Sequence, residues 1–136
     1  MPIDFRYFKL TSPTTRIPLT KNLYNVNKIQ ICYLNYKTVS DGNSEMKIFI
    51  NNPNLNLYDY DIGTTNNRIE KLFTVFPLPN ASGQQLPFKN MYPWYDIVLQ
   101  QEIKTLSEIE ITIKIDDVLS NDISLTNPLR IGFRFE

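Results

Sequence analysis

Two stretches near the C-terminus alternate apolar and polar residues, and they constrain the fold more than any other feature. The first covers residues 107–115 and the second residues 128–136. Successive side chains of a strand point to opposite faces of a sheet, so this period of two predicts β-strands with one buried face. The residues expected to be buried are Ile109, Ile111, Ile113 and Ile115 in the first stretch and Leu129, Ile131, Phe133 and Phe135 in the second. The residues expected to face outward are Glu108, Glu110, Thr112, Lys114, Arg130 and Arg134.

The N-terminal half predicts further strands. Residues 4–10 are predicted as a short strand, and the side chains expected to anchor it are Phe5, Tyr7 and Leu10. Residues 28–38 are predicted as a long strand with two apolar faces, which is typical of a strand packed on both sides. The expected faces carry Ile29, Ile31 and Tyr33 on one side and Cys32, Leu34 and Tyr36 on the other. The Asp41-Gly42 pair favours a hairpin turn, so residues 46–50 are expected to pair with residues 28–38.

The middle of the chain predicts shorter elements. Weak alternation favours a strand at residues 55–62, and residues 68–76 form a stronger one with Ile69, Phe73 and Val75 in the core. Residues 80–90 are predicted as a loop, and residues 96–101 as a strand. Residues 103–106 are expected to be a short connection, for which one helical turn is an option. A further short strand is expected at residues 123–125.

These elements together predict a fold class. The chain carries about eight strands with frequent turn signals, and no segment of roughly twelve residues has the apolar period of a helix. Such a pattern favours a β-sandwich, either a jelly roll or an immunoglobulin-like domain. The Cys-Trp-Cys spacing of antibody domains is absent. We therefore predict an all-β protein, an antiparallel eight-stranded β-sandwich, with residues 1–136 forming a single jelly-roll domain.

The composition excludes several classes of function. The chain has no histidine, which removes the commonest general base and the usual metal ligand. It has 14 basic and 14 acidic residues, so its charge gives no reason to expect nucleic acid as a partner. No apolar run reaches about 18 residues, so we expect no membrane span. The single Cys32 and the absence of a signal-peptide pattern favour synthesis inside a cell.

Two groups of carboxylates are candidates for chemistry. Asp116, Asp117 and Asp122 lie close together in the sequence after a predicted strand, and their oxygens could bind calcium. They lack the spacing of an EF-hand loop, so a solvated turn is the simpler interpretation. The other group is Asp59 and Asp61 with nearby Glu70, a pair of acids that could act on a sugar. Alternate aspartates on an exposed strand are the simpler interpretation here, and we predict no catalytic residue, metal or cofactor.

The densest aromatic cluster is Tyr92, Trp94 and Tyr95. Aromatic rings can stack on a sugar or a base, but tryptophan and tyrosine are also enriched in cores and at subunit interfaces. We predict these three residues as interface or ligand-stacking residues. Cys32 lies within a predicted strand without a histidine to activate it, so an inert thiol is expected rather than a nucleophile.

The order of the predicted strands and their residue patterns resemble those of a known protein family. The segments that carry the resemblance are residues 28–34, residues 109–117 and residues 127–135. In these segments the chain resembles the small single jelly-roll penton and minor capsid proteins of eukaryotic double-stranded DNA viruses, including virophages, polinton-like viruses and giant viruses. Many relatives carry a glycine in the late turn, where this chain has Asp117-Val118-Leu119.

The resemblance implies a structural role in the capsid of a virion. Family members assemble as cyclic oligomers, commonly pentamers, or contact the major capsid protein, and they carry no active site. We therefore expect a protein that packs against copies of itself or a larger capsid protein, is made in the host cytoplasm and is not an enzyme. The alternative is a carbohydrate- or receptor-binding β-sandwich that uses the aromatic cluster.

Overall fold

The computed structural model describes residues 3–39, 42, 45–50, 58–61, 69–78, 83, 85–89 and 96–136, and all regular elements in these ranges are β-strands. For strand residues 58–61, 69–72, 74, 76–77, 85–89 and 96–101 it describes the backbone. The strands are β1 (Asp4–Leu10), β2 (Thr14–Lys37), β3 (Glu45–Ile50), β4 (Tyr58–Asp61), β5 (Ile69–Pro77), β6 (Gln85–Lys89), β7 (Asp96–Ile115), β8 (Val118–Leu119) and β9 (Leu129–Phe135). The pairs between them are antiparallel, which confirms the predicted all-β antiparallel class. Within the same ranges, no helix has the length and apolar character needed to cross a membrane.

Two long strands organise the sheet. β2 and β7 pair in three stretches, in which residues 14–18, 23–26 and 28–30 of β2 lie opposite successively earlier residues of β7. The second part of β2 borders β9 on its other edge, and β9 borders β1. The second part of β7 borders β3, which is followed by β5 and β4. Each long strand therefore contributes one part to a group of strands around β9 and the other part to a group around β3.

The sheet folds over itself. Along the pairing order, β9 and β5 are four strand steps apart. In a flat sheet, four steps of about 4.8 Å would separate them by about 19 Å. The rings of Phe73 in β5 and Phe133 in β9 nevertheless meet edge to face with their centres 6.0 Å apart. The sheet therefore brings β5 and β9 into contact, and Phe73 and Phe133 belong to one buried cluster.

The two C-terminal strands bury the predicted residues. The four isoleucines of β7 and the four apolar residues of β9 named above are all buried. Among the residues predicted to face outward, Glu108 and Arg130 are exposed and the rest are half-buried. The prediction is confirmed for both strands, because strict alternation leaves only one face that can enter a core.

A β-bulge corrects the predicted faces of the long strand. The pairing of β2 with β9 shifts register between Ile31 and Tyr33, so Cys32 is an extra residue in β2. The shift returns Leu34 and Tyr36 to the face that Ile31 occupies, and all three are buried. Cys32 and Tyr33 are half-buried. The prediction that Tyr33 shares a face with Ile31 was wrong, because a bulge changes the phase of the alternation.

The predicted connection at residues 103–106 is part of a continuous strand. Ile103 and Leu106 are buried and lie opposite Val26 and Leu23 of β2. This spacing of three residues looks helical in the sequence. It comes instead from irregular pairing, with register shifts on both sides of this stretch and a left-handed φ of 56° at Asn25. The predicted short connection was therefore wrong, and the optional helical turn is not formed.

Three other expectations need correction. Residues 28–37 do not pair with β3 as a hairpin, since β2 pairs with β6, β7 and β9 while β3 pairs with β5 and β7. The predicted loop at residues 80–90 contains β6, in which Pro87 is tolerated because a sheet edge needs no donor there. Residues 123–125 form no strand, since residues 124–127 are bends, and the short strand lies earlier, at β8.

Candidate functional site

The candidate calcium ligands form a turn that is tied to a neighbouring strand. Asp116 and Asp117 link β7 to β8 with φ values of 50° and 66°, the pair of left-handed residues that a tight two-residue hairpin requires. A carboxylate oxygen of Asp116 accepts a hydrogen bond from the backbone N–H of Glu45 at 3.1 Å. The Asp116 N–H donates in return to the Glu45 carbonyl, also at 3.1 Å. These bonds hold the strained backbone that glycine would adopt freely.

Lys47 forms ion pairs with the Asp117 carboxylate of this turn and with Glu45 of the neighbouring strand. Its ammonium group lies 2.7 Å from an Asp117 carboxylate oxygen and also pairs with Glu45. The Lys47 side chain is only 5% exposed, so this is a largely buried cation held by two partly exposed acids. Asp122 is exposed, and its charge acts on Tyr36 instead. No group of three or more potential metal ligands occurs among the residues that the structure describes.

Several other candidate residues fall where side chains are not described. Asp59 and Asp61 lie in β4, opposite Lys71 and Ile69 of β5, and Glu70 lies opposite Tyr60. The backbone register thus places the three acids on two adjacent strands, β4 and β5. Tyr92, Trp94 and Tyr95 lie outside the described residues, so their role as interface or ligand-stacking residues stays a prediction.

Cys32 lies at the bulge of β2 beside an exposed tyrosine. Its sulfur is 4.0 Å from the Tyr7 hydroxyl oxygen. Burial raises the pKa of the Cys32 thiol, and the Tyr7 hydrogen bond and the nearby Arg134 charge offset only part of that rise. The thiol is therefore protonated near neutral pH, which suits an inert side chain better than a nucleophile. The charge of an ionised Cys32 in turn raises the pKa of Tyr7.

An aromatic patch on the outer face of β1 was missed by sequence reasoning. Phe5 is 52% exposed and Tyr7 is 65% exposed, although both were predicted as anchors of the core. Only Leu10 of the three predicted anchors is buried, and Phe8 packs against the core with it. Both faces of this strand carry aromatic residues, so its own pattern does not indicate which face is inner. The useful signal lies in its partner, because Phe8 and Leu10 pair with the buried Ile131 and Leu129.

Tyr7 reaches across β9 to β2. It lies opposite Gly132, which lies opposite Tyr33 on its other side. The rings of Tyr7 and Tyr33 meet edge to face with their centres 6.2 Å apart. The outer face of these three strands therefore presents two adjacent tyrosine rings above a strand with no side chain at that position. Rings placed in this way suit contact with a partner surface or a small ligand.

Comparisons with known proteins add no family to this description. No family model matches the chain, and no curated protein matches it in sequence.

Proposed function

We propose that this chain is a single jelly-roll capsid protein, a penton or minor capsid component of an icosahedral virion that acts through protein–protein packing. The observation that carries the proposal is the strand pairing. One group runs β1, β9, the second part of β2 and the first part of β7; the other runs the first part of β2, the second part of β7, β3 and β5. These eight segments in two groups of four have the order of an eight-stranded jelly roll, in which the first strand lies beside the last.

The contact between the two groups supports a sandwich. Phe73 and Phe133 touch across the interior, and the buried residues of both groups belong to one cluster. A sandwich buries one face of each sheet against the other. In this interpretation, β4, β6 and β8 are short additions to the edges or ends of the eight main segments.

The free edge of β1 supports an assembly role. In the described part of the chain, β1 is the end of the pairing order and pairs with β9 through seven residues without a register shift. Natural proteins often blunt such an edge with a bulge, a proline or an inward charge, because an open regular edge can pair with another chain. β1 has neither a bulge nor a proline, and its inward charges, Asp4 and Arg6, pair with each other at 2.7 Å. The exposed Phe5 adds apolar contact area beside this edge. Together these features favour an edge that is covered in an assembly.

The resemblance supplies the kind of assembly. The segments that resemble the penton and minor capsid family fall mainly in β2, β7 and β9, and β2 and β7 run through both groups of strands. A fold by itself hosts many functions, so the capsid role comes from this resemblance and the strand order together. The proposed partners are copies of this chain, in a cyclic oligomer such as a pentamer, and a major capsid protein. The proposed location is the virion.

The oligomeric state of the purified full chain tests this proposal. Light scattering over a range of concentrations should give a closed oligomer, or a stable complex when a major capsid protein is added. Phe5→Lys should shift the equilibrium towards the monomer, because it places a charge beside the proposed edge contact. Tyr24→Lys is the matched control, since Tyr24 is an aromatic residue of similar exposure that lies on β2, away from the edge of β1.

Electron cryo-microscopy of intact virions gives the second readout. The proposal expects density for this fold at the vertex or between major capsid proteins. A chain that stays monomeric at all concentrations and is absent from particles would overturn the capsid proposal.

A further inference from the structure

A cleft of about 220 Å³ opens on the outer face of β1, β9 and β2. The residues that line it are Tyr7, Phe8, Lys9, Tyr33, Arg130 and Ile131. The strand register places its outward side chains in two rows. One row is Tyr7, Gly132 and Tyr33, and the next row along the strands is Lys9, Arg130 and Asn35. Two aromatic rings therefore lie beside two cationic side chains.

Gly132 makes room for the aromatic row. A Cβ atom at this position would lie 2.5 Å and 2.6 Å from two ring carbons of Tyr7 and 3.0 Å from the Cβ of Tyr33. These distances are too short for real side chains. The Tyr7 ring therefore lies over the backbone of β9 only because residue 132 is glycine, and this position of the ring forms one wall of the cleft.

Within the described part of the chain, the two cations have no counter-charge. Lys9 and Arg130 are direct cross-strand partners, a placement in which like charges repel. Among the described residues, neither side chain has an ion pair or a hydrogen bond. The next arginine on the same strand differs, since Arg134 pairs with Glu136 at 3.0 Å. An anion bound between Lys9 and Arg130 would replace their repulsion with two attractions.

The size and chemistry of the cleft select one class of ligand. Its volume is below the range of about 300–1,000 Å³ found for drug-sized ligands, so it suits a single six-membered ring. The arginine fork binds carboxylates through two parallel hydrogen bonds, and the lysine adds a point charge. The tyrosine rings offer flat apolar faces to the C–H groups of a sugar. We propose that this cleft binds an acidic sugar residue, with its carboxylate between Lys9 and Arg130 and its ring against Tyr7 and Tyr33.

This binding function goes beyond the proposed capsid role. The cleft is formed within one chain, so it does not depend on assembly. It also differs from the aromatic cluster at residues 92–95, which was the sequence-based candidate for sugar binding. A shell protein with such a cleft could hold a surface that displays acidic glycans.

A nuclear magnetic resonance titration of the full chain tests the site. The probes are glucuronic acid and N-acetylneuraminic acid, with glucose and the methyl ester of glucuronic acid as uncharged controls. We expect both acids to shift the backbone signals of residues 7–9, 33 and 130–132, with a Kd of about 1 mM or lower. The uncharged sugars should bind roughly tenfold more weakly, because they lack the charge-assisted bonds.

Matched variants separate the cleft from the rest of the surface. Arg130→Gln and Tyr33→Ala should each weaken binding of glucuronic acid roughly tenfold. Arg16→Gln should leave it unchanged, because Arg16 is an exposed arginine that pairs with Glu108 and Glu110 instead. Equal binding of acidic and uncharged sugars, or no shift with either acid, would overturn the proposal. Stronger binding of a triglutamate peptide than of either acid would also overturn it, in favour of a protein partner.

Discussion

The two outer faces of the molecule differ in how their cationic side chains are paired. On the face around β3 and β7, Arg16 pairs with two glutamates of β7, Lys47 is held between two acids, and the Lys114 ammonium lies 5.3 Å from the ring centre of Phe49. On the face around β1 and β9, Arg134 pairs with Glu136, but Lys9 and Arg130 lie opposite each other without a described ion pair, beside the exposed Tyr7 and the half-buried Tyr33.

This difference indicates a division of labour between the faces. Charges that form ion pairs within the chain are already neutralised by their partners, and they help to hold neighbouring strands together. Charges placed against each other weaken the sheet slightly, so they are better explained by something that binds them. We therefore regard the face around β3 as scaffold and the face around β1 as the binding face.

The largest expected effect concerns the core that both faces share. Phe133 packs against Phe73 across the interior and against Phe8 and Phe135 on its own side. Phe133→Ala should lower the free energy of unfolding by about 3–5 kcal/mol, because it leaves a cavity where the two groups of strands meet. Urea unfolding measures the loss. Tyr24→Ala, at a position 62% exposed, should stay within about 0.5 kcal/mol of the wild type. Similar losses for the two variants would contradict the role of Phe133 in the core where the two groups of strands meet.

The second prediction compares a paired with an unpaired lysine. Lys47→Ala should lower the free energy of unfolding by about 1–3 kcal/mol, because it removes a buried cation that satisfies Glu45 and Asp117. The loss stays below that of a fully buried pair because both acids are partly exposed and water can solvate them. Lys9→Ala should change the same quantity by less than about 0.5 kcal/mol. If Lys9→Ala is the more costly variant in urea unfolding, the proposed contrast between the faces is wrong.

A smaller effect is expected at the glycine beneath the cleft. Gly132→Ala should cost about 1 kcal/mol, because the added methyl group displaces the ring of Tyr7. The ring is the end of a flexible side chain, so it can move away. In a Tyr7→Ala background the same substitution should cost less, which a double-mutant cycle in urea measures. Equal costs in the two backgrounds would show that Tyr7 does not occupy the space over Gly132.

The smallest effect appears only at alkaline pH and contrasts an inner with an outer tyrosine. Burial raises the pKa of the Tyr36 phenol, and the Asp122 carboxylate raises it further. The folded chain therefore keeps this proton to higher pH than the unfolded chain, whose tyrosines have a pKa of about 10. Tyr36 thus contributes stability that is complete below about pH 10 and is lost as the pH rises through the folded pKa.

Thermal unfolding across this range provides the measurement. The Tm of the wild type should fall above pH 10 more steeply than that of Tyr36→Phe. Tyr24→Phe, which changes an exposed tyrosine, should follow the wild type. An identical pH dependence for all three proteins would contradict the role assigned to Tyr36.

The accuracy of the sequence predictions varied with the kind of pattern. In β7 and β9 only one face is apolar, so the buried residues could be named in advance. In β1 the bounds were predicted correctly, but its inner face was not, because Phe5, Tyr7 and Phe8 divide between the two faces. In β2 the prediction continued the alternation of faces past Cys32 without a break. The bulge there reverses the faces, and the local sequence pattern does not reveal a bulge.

Turn chemistry was also informative only locally. Asp41-Gly42 did indicate a turn, and Gly42 has a left-handed φ of 81°. It did not identify the partner of β3, which pairs with strands that come later in the chain. The candidate cleft was likewise beyond prediction, because Lys9 and Arg130 are far apart in sequence and become neighbours only when β1 pairs with β9.

The sequence by itself determined the all-β class and the buried faces of the two C-terminal strands, because alternation with period two is a local property of the chain. The tertiary structure decided which strands pair, how the sheet folds so that Phe73 meets Phe133, and which aromatic residues face outward. Those outcomes depend on hydrogen bonds and contacts between residues that are distant in the sequence, and the arrangement of the tyrosine rings and cations of the cleft follows from them.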